Sequence, residues 1–180
     1  MGNLDVHYSS ENQEWGTPPE VFNPLNNEFH FILDVCASHE NHKCDYYFTI
    51  EDDCFKQSWA VEGYWWMNPE YGNPEQPCLQ PYSRCKKKKC VARGYHIDVY
   101  QPGIIDFIRK AVQETLRGAK GVALLPARTD TEWWSLIWNY HTQKPRPWIK
   151  QIRFVRGRIK FVGAPDVAPF PSVVVIFEKK

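Results

Sequence analysis

The chain has 180 residues, of which 43% are hydrophobic and eight are Trp, and its formal net charge is only +1. This composition excludes a disordered chain and a uniform polycation, and no apolar run approaches the roughly 20 residues that span a bilayer. The length favours a single domain over residues 1–180. The N-terminal stretch MGNLDVHYSSENQEW has no basic segment followed by an apolar one. We therefore expect no secretory signal and a reducing, cytosolic compartment, in which the six Cys are thiols or metal ligands.

Strand-like segments fill the first part of the chain after a short helix. Thr17-Pro18-Pro19-Glu20 has the pattern of a capping box with Pro at the first helical position, and Pro24 predicts that this helix is short. Aromatic and β-branched residues then predict three strands, at residues 29–35, 46–50 and 63–67.

Helical and strand patterns alternate in the second part. Residues 102–118 have helical spacing and end at Gly118, and residues 121–126 form a buried strand pattern. Thr129 and Glu132 suggest a capping box for a helix over residues 130–140, followed by strands at residues 151–155, 158–162 and 172–177. The alternation predicts an α/β fold with a mostly parallel sheet and a terminal antiparallel hairpin.

The stretch WWMNPEYGNP ends a strand pattern on Asn68-Pro69. Ligands of open α/β sheets bind at the carboxyl ends of strands, where Asn68 falls. The Asn68 amide oxygen and the Pro69 carbonyl can accept hydrogen bonds from an amino group, and the Tyr71 ring can stack on a flipped base. This set suits methylation of the exocyclic amine of adenine, a poor nucleophile whose electron density such acceptors raise. The alternative is an ordinary strand-ending turn with a packed Tyr.

Further short motifs accompany this one in a fixed order, and together they resemble the phage-type DNA N6-adenine methyltransferase family, which is Dam-like. Each is weak alone, whereas their joint order over nearly the whole chain is specific. They are WGTP (15–18), LDVCAS (33–38), NHKCDYYFT (41–49), EDDCF (51–55), SW (58–59), MNPEYG (67–72), LLPARTDTEWW (124–134), IRFVRGRIKF (152–161) and APFPSVVVIF (168–177).

The resemblance implies a Rossmann-like methyltransferase sheet, S-adenosylmethionine as the methyl donor, and DNA as the partner inside a bacterial or phage-infected cell. It places cofactor contacts in the first half of the chain and on the catalytic turn. Asp34 is expected to meet the methionine ammonium, although it could instead cap a turn, and Asp53 the adenine amine, with Glu51 or Asp52 as alternatives. The full expected set is Thr17, Pro18, Asp34, Ala37, Ser38, Asp53 and Asn68.

Glu70 departs from the family pattern, which has a second Pro at this position. We expect a site-specific DNA adenine-N6 methyltransferase in which Asn68, Pro69 and Tyr71 are catalytic. The main alternative is a catalytically impaired DNA-binding relative in which Glu70 is the disabling change. An amine methyltransferase acting on RNA or protein shares the Asn-Pro-x-aromatic logic. A nucleotide hydrolase is disfavoured, because the chain has no Gly-x4-Gly-Lys-Ser/Thr loop.

Residues 73–102 interrupt the alternating pattern with Pro, Cys and Lys and resemble an insertion. Three thiols and one imidazole within 19 residues suit a structural, tetrahedral zinc site, although the spacing matches no standard finger; these are Cys78, Cys85, Cys90 and His96. A flexible loop with free thiols is the alternative. Cys36, Cys44 and Cys54 are better explained as buried small side chains than as a second site with His39 and His42.

Basic residues are concentrated in two regions, at residues 84–93 and 144–160. Lys86–Lys89 form a continuous run inside the insertion, which we expect to contact DNA phosphates rather than only to face solvent. Further DNA contacts are expected at Arg128, Arg156 and Arg158.

Overall fold

A computed structural model of the protein describes residues 15–179, so the N-terminal stretch without a secretory pattern lies almost entirely outside it. The helices are α1 (Pro19–Phe29), α2 (Lys88–Arg93) and α3 (Ile104–Leu116). The strands are β1 (Phe31–Asp34), β2 (Tyr46–Tyr47), β3 (Tyr64–Met67), β4 (Lys120–Pro126), β5 (Trp138–Asn139), β6 (Lys144–Pro145), β7 (Ile149–Phe154) and β8 (Ser172–Phe177).

Six of these strands form one sheet, in the order β2-β1-β3-β4-β8-β7. β1, β2, β3 and β4 are parallel to one another, whereas β8 is antiparallel to both β4 and β7. β7 therefore runs in the same direction as β4. The mostly parallel α/β methyltransferase-like sheet with a terminal antiparallel pair is confirmed.

Alternation along β3 divides the core between the two faces of the sheet. Trp65 packs on one face with Trp59 and residues of α3, and the adjacent Trp66 packs on the other face with Phe22 of α1. Trp65 and Trp66 are at most 1% exposed. Such large buried rings on successive residues hold β3 firmly between its two neighbours.

The two long helices confirm one prediction and correct another. The predicted helix over residues 102–118 is α3, where the Asp106 carboxylate accepts a 2.9 Å hydrogen bond from the Gly103 backbone N–H. α1 begins after Pro18, without a side-chain cap from Thr17, and it runs for 11 residues through Pro24. The expected shortening at Pro24 is wrong, because this proline is on the exposed side of the helix, where water can satisfy the carbonyl that loses its donor.

Three secondary-structure predictions in the sheet and its cover also need correction. Residues 130–140 form a 3-10 turn at Glu132–Leu136 and then β5, because the Trp148 indole and the Arg146 guanidinium bind the carbonyls of Leu136 and Ser135. Thr131, not Thr129, precedes the turn. Residues 158–162 are not a strand: Ile159 and Phe161 are buried, and only Val162 pairs with Gly16 in an isolated bridge. The strand predicted at 46–50 is reduced to Tyr46–Tyr47.

The helices of the described residues are too short or too polar to span a membrane. The longest helix among residues 15–179 has 13 residues, and none is both long and apolar enough to cross a bilayer.

Gly121 is the position at which this packing tolerates least change. A Cβ on Gly121 of β4 would lie 1.9 Å from Cδ2 of the Trp65 ring. We expect Gly121→Ala to lower the free energy of unfolding by about 1–3 kcal/mol, the usual range for overpacking. Gly72→Ala is a matched control, because a Cβ there has nothing within 4 Å. Denaturant unfolding of both variants checks this, and equal stability would contradict the packing described.

Candidate functional site

Three parallel strands deliver their last residues to the same edge of the sheet. β1 ends at Asp34, β3 ends at Met67 just before Asn68, and β4 ends at Pro126. The Val35 backbone N–H donates a 3.0 Å hydrogen bond to the Trp66 carbonyl, which draws the segments after β1 and β3 together. This edge is where open α/β sheets bind ligands.

The Asn68 side chain is held by both ends of its amide. Its Nδ2 donates to the Trp15 carbonyl at 3.2 Å, and its Oδ1 accepts from the Tyr71 hydroxyl at 2.7 Å. The Asn68 side chain is half-buried, and Pro69 behind it is buried. The Tyr71 hydroxyl is thus a donor to the amide oxygen, which can accept through two lone pairs.

Tyr71 lies between the Asn68 turn and the aromatic residues on the face of the sheet that Trp66 packs on. Its ring makes near-perpendicular contacts with Phe161 and Phe170, at centroid distances of 6.3 and 5.5 Å. Burial raises the pKa of the Tyr71 phenol above its ordinary range, and the negative charge of Glu70 raises it further. Glu70 itself, the residue that departs from the family pattern, is exposed at the turn.

Asp34 is buried at the end of β1 and organises the loop that follows. Its Oδ1 accepts from the Cys36 backbone N–H at 3.2 Å, and its Oδ2 accepts from the Lys43 backbone N–H at 3.0 Å. The turn-capping role is therefore present in the structure. Burial raises the pKa of Asp34 to about 6, despite the opposing effect of these two hydrogen bonds.

Ala37 and Ser38 continue the same loop, and three acids follow β2. Ala37 donates its backbone N–H to the Phe48 carbonyl, and Ser38 donates its backbone N–H to the Asn41 side chain. The Asp53 backbone has a left-handed φ of 53°, and its carboxylate accepts from the Phe55 N–H and pairs with Lys56 at 2.8 Å.

Asp52 and Glu51 are the alternatives to Asp53. The Asp52 carboxylate accepts both the backbone N–H and the hydroxyl of Thr49. The Glu51 carboxylate is exposed, and hydrogen bonding to Thr49 lowers its pKa. Asp53 is the least exposed of the three residues.

Thr17 and Pro18 lie beside Asn68, because the Trp15 carbonyl that binds the Asn68 amide is two residues before Thr17. Both residues are buried. The Thr17 hydroxyl is buried without a hydrogen-bond partner. A buried hydroxyl normally finds a partner, so this one has the chemistry of a ligand contact.

The insertion brings its four predicted metal ligands together. The ligand atoms of Cys78, Cys85, Cys90 and His96 all lie within 4.8 Å of one another. The Sγ atoms of Cys78 and Cys85 are 3.6 Å apart. A zinc tetrahedron with Zn–S bonds of about 2.3 Å has edges of about 3.8 Å, so these residues fit that ion.

No second group of this kind occurs among residues 15–179. His42 instead stacks on Tyr47, with ring centroids 4.2 Å apart, and Cys44 and Cys54 are buried in the core. The interpretation of these Cys as small apolar side chains is therefore favoured.

Glu75 closes the base of the insertion and balances part of its positive charge. It forms an antiparallel bridge with Gln101, and its carboxylate contacts Arg93 at 2.8 Å and Lys89 at 3.3 Å. The Gly72 carbonyl accepts a 2.9 Å hydrogen bond from the Ile104 N–H, so the insertion starts and ends beside the Asn68 turn. The remaining lysines of the run, Lys86, Lys87 and Lys88, are exposed.

The other residues expected to contact DNA, Arg128, Arg156 and Arg158, are all exposed, but they do not all lie close to the Asn68 turn. The Arg128 guanidinium lies over the Phe170 ring, 5.7 Å from its centroid, and Phe170 contacts Tyr71. Arg158 donates to the Ala168 carbonyl at 3.3 Å, and Arg156 is exposed next to it in the chain. Arg128 is thus close to the candidate site, whereas Arg156 and Arg158 lie in the segment after β7.

Sequence reasoning missed three contributors to the site. These are the backbone carbonyl of Trp15, the Phe170 ring and the Glu75 carboxylate. A backbone carbonyl carries no sequence signal. Phe170 lies in the motif at residues 168–177, but it is far along the chain from Tyr71, so the motif does not indicate their contact. Glu75 is one of many charged residues, and no local pattern distinguishes it.

The sequence is similar to those of known DNA methyltransferases. The family described as DNA N-6-adenine-methyltransferase (Dam) matches residues 6–179. The DNA N-6-adenine-methyltransferase of Escherichia phage T1 is 25% identical over 122 residues, which cover 67% of this chain and 39% of that protein. The enzyme of the same name from Haemophilus phage HP1 is 37% identical over 67 residues, covering 36% of this chain and 38% of that protein. The chain thus spans well under half the length of these two relatives, and it belongs to the DNA N-6-adenine-methyltransferase (Dam) family.

Proposed function

We propose that the protein transfers a methyl group from S-adenosylmethionine to the N6 amine of adenine at specific sites in DNA. The observation that carries this proposal is the Asn68 amide, whose oxygen is oriented at the carboxyl end of β3 beside the rigid Pro69 carbonyl. Membership of the family and the names of the two phage relatives support the same reaction.

The adenine amine needs activation, because its lone pair is delocalised into the ring. Asn68 Oδ1 and the Pro69 carbonyl accept the two N6 hydrogens, which raises the electron density on nitrogen and favours its tetrahedral form. The Tyr71 ring stacks on the base after it has been flipped out of the duplex. S-adenosylmethionine, when bound, would supply an electrophilic methyl group on a sulfonium, with a neutral thioether as the leaving group. The amine then loses a proton to solvent.

The cofactor residues follow from the same edge of the sheet. The Asp34 carboxylate binds the methionine ammonium, while the small residues Ala37 and Ser38 let the backbone approach the cofactor. Asp53 accepts from the cofactor's adenine amine. Thr17 and Pro18 complete the wall next to Asn68, and the partnerless Thr17 hydroxyl supports this placement.

The insertion serves DNA binding rather than chemistry. Cys78, Cys85, Cys90 and His96 would hold zinc through four protein ligands with no open position, so its role would be structural. It holds the exposed lysines of the Lys86–Lys89 run near the catalytic turn, where they contact phosphates. Arg128, Arg156 and Arg158 extend that contact. The reaction takes place in the cytosol of a bacterial or phage-infected cell, where DNA is present.

The second candidate function is an inactive DNA-binding relative, and Glu70 is the observation that favours it. A carboxylate at the turn repels phosphates, and it replaces a proline that would stiffen the backbone. The exposure of Glu70 weakens this alternative, since the side chain can turn away from the base.

Asn68→Ala tests the proposed catalytic role. Losing a preorganised acceptor costs on the order of 3 kcal/mol of barrier, so we expect about a hundredfold loss of methyl transfer with nearly normal cofactor binding. Labelled S-adenosylmethionine with unmethylated DNA measures the rate, and calorimetry measures cofactor affinity. Asn26→Ala controls for general destabilisation, because it removes an α1 side-chain amide whose oxygen accepts a hydrogen bond from the Phe31 N–H at the start of β1. Near-normal turnover of Asn68→Ala would refute the assignment.

Asp34 makes cofactor binding depend on pH. Its pKa of about 6 in the free protein means that the carboxyl group is increasingly protonated below pH 6. Binding the ammonium requires the carboxylate, so affinity for S-adenosylmethionine should fall by up to about tenfold per pH unit below this value. Asp34→Asn should bind weakly with a flat profile. Calorimetric titrations between pH 5 and 7.5 measure this, and a wild-type affinity constant over the range would contradict the proposed contact.

The raised Asp34 pKa also affects stability in a defined direction. Because the folded state binds the proton more tightly than the unfolded chain, the contribution of Asp34 to stability is greatest below about pH 4 and is lost as the pH rises through 6. Saturating cofactor should reverse this trend, since it favours the ionised form.

The zinc site is tested by elemental analysis. We expect about one zinc per chain, lost in Cys90→Ser and retained in Cys44→Ser, because buried Cys44 lies outside the ligand cluster. Loss of zinc should disorder the insertion and weaken DNA binding, mainly at low salt, while affinity for S-adenosylmethionine stays unchanged. A zinc-free native protein with all thiols freely titratable would end the proposal.

A further inference from the structure

The Tyr71 hydroxyl lies between two acceptors although it has one proton to donate. Its oxygen is 2.7 Å from Asn68 Oδ1 and 3.0 Å from the Leu124 backbone carbonyl. Neither acceptor carries a proton, so the hydroxyl can donate to only one of them at a time. Rotation about the C–O bond is enough to move the proton from one to the other.

The orientation of the Asn68 amide is determined by the backbone rather than by chance. The Trp15 carbonyl only accepts, and it lies 3.2 Å from the Asn68 nitrogen. Reversing the amide would set two oxygens against each other at Trp15. The amide oxygen therefore faces Tyr71, and the hydroxyl provides the donor on that side.

We propose that the Tyr71 hydroxyl is a positioning group that holds Asn68 Oδ1 in the free protein and yields it to the target amine by turning its proton to the Leu124 carbonyl. This inference rests on the proposed function and adds to it, because the role of Tyr71 there belongs to its ring. No covalent bond changes. One hydrogen bond, from the phenol to the amide, is exchanged for two, from the phenol to Leu124 and from the adenine amine to Asn68.

The exchange answers a physical problem of such a site. An acceptor that must be ready for a substrate amine would otherwise be left without a donor in a half-buried position, where an unpaired polar atom is costly. The Tyr71 hydroxyl keeps Asn68 Oδ1 aligned before the substrate binds, and it can leave this oxygen without losing its own hydrogen bond because the Leu124 carbonyl accepts its proton. The phenol remains protonated for this role at ordinary pH, because burial, and then the charge of Glu70, raise its pKa.

Tyr71→Phe separates the hydroxyl from the ring, since it retains the stacking surface. Tyr64→Phe is the matched control: Tyr64 begins β3, the strand that leads into the Asn68 turn, and its hydroxyl makes a hydrogen bond of the same 2.7 Å length, to Glu178. We expect kcat of Tyr71→Phe to fall about tenfold, which corresponds to about 1.4 kcal/mol of barrier, with KM for DNA and cofactor affinity within twofold of wild type. Tyr64→Phe should keep the wild-type kcat. A wild-type kcat in Tyr71→Phe, or an equal loss in both variants, would overturn the proposal.

A second readout does not depend on catalysis. In nitrogen-15 NMR spectra, the side-chain amide protons of Asn68 should exchange with solvent several-fold faster in Tyr71→Phe than in the wild-type protein or in Tyr64→Phe. Unchanged exchange would overturn the contact itself. If the wild-type protein methylates nothing while the exchange difference is present, the proposed function fails but the positioning of Asn68 by Tyr71 stands.

Discussion

The parallel pairing of β3 with β1 and β4 is the constraint on which the candidate site depends. It places the ends of three strands at one edge, so that Asp34, Asn68 and the segment after Pro126 meet although they are far apart in the chain. Trp65 and Trp66 lock β3 from opposite faces, and Gly121 leaves the space that the Trp65 ring needs. A shift of β3 along its neighbours would move Asn68 away from the Trp15 carbonyl and Tyr71 away from the Leu124 carbonyl, and the acceptor geometry would be lost with both.

The charges of the insertion are partly balanced within it, close to the Asn68 turn. Glu75 offsets Lys89 and Arg93, and a zinc ion bound by three thiolates would carry a net charge of −1 and so would partly offset the neighbouring lysines. The exposed lysines Lys86, Lys87 and Lys88 remain for a polyanion. A side chain at Gly103 would place its Cβ 2.3 Å from the Pro74 nitrogen, so the two ends of the insertion are packed directly against each other. The insertion therefore has a fixed base beside the Asn68 turn.

Sequence patterns predicted features that depend on local chemistry. The strands predicted at residues 29–35, 63–67, 121–126 and 172–177 and the helix α3 are present in the structure, and the three Cys and one His of the insertion lie close together. Predictions failed where a distant contact outweighs local preference. The helix expected over residues 130–140 is replaced by a turn and hairpin, because Arg146 and Trp148 bind its carbonyls from outside. The bonds that orient Asn68 come from the Trp15 backbone carbonyl, 53 residues away, and from the Tyr71 side chain, three residues away. Both residues lie in motifs of the family pattern, but the pattern does not say that these two motifs contact each other at Asn68.

The account makes one central claim, that the Asn68 edge methylates adenine N6 in DNA. Its most direct test is incubation of the purified protein with labelled S-adenosylmethionine and unmethylated DNA, followed by digestion to nucleosides and separation of the labelled products. The account predicts that the label is found in N6-methyldeoxyadenosine and that an RNA competitor does not reduce it. Label confined to RNA, to protein or to a methylated cytosine, or no label in any product under conditions where the cofactor binds, would contradict it.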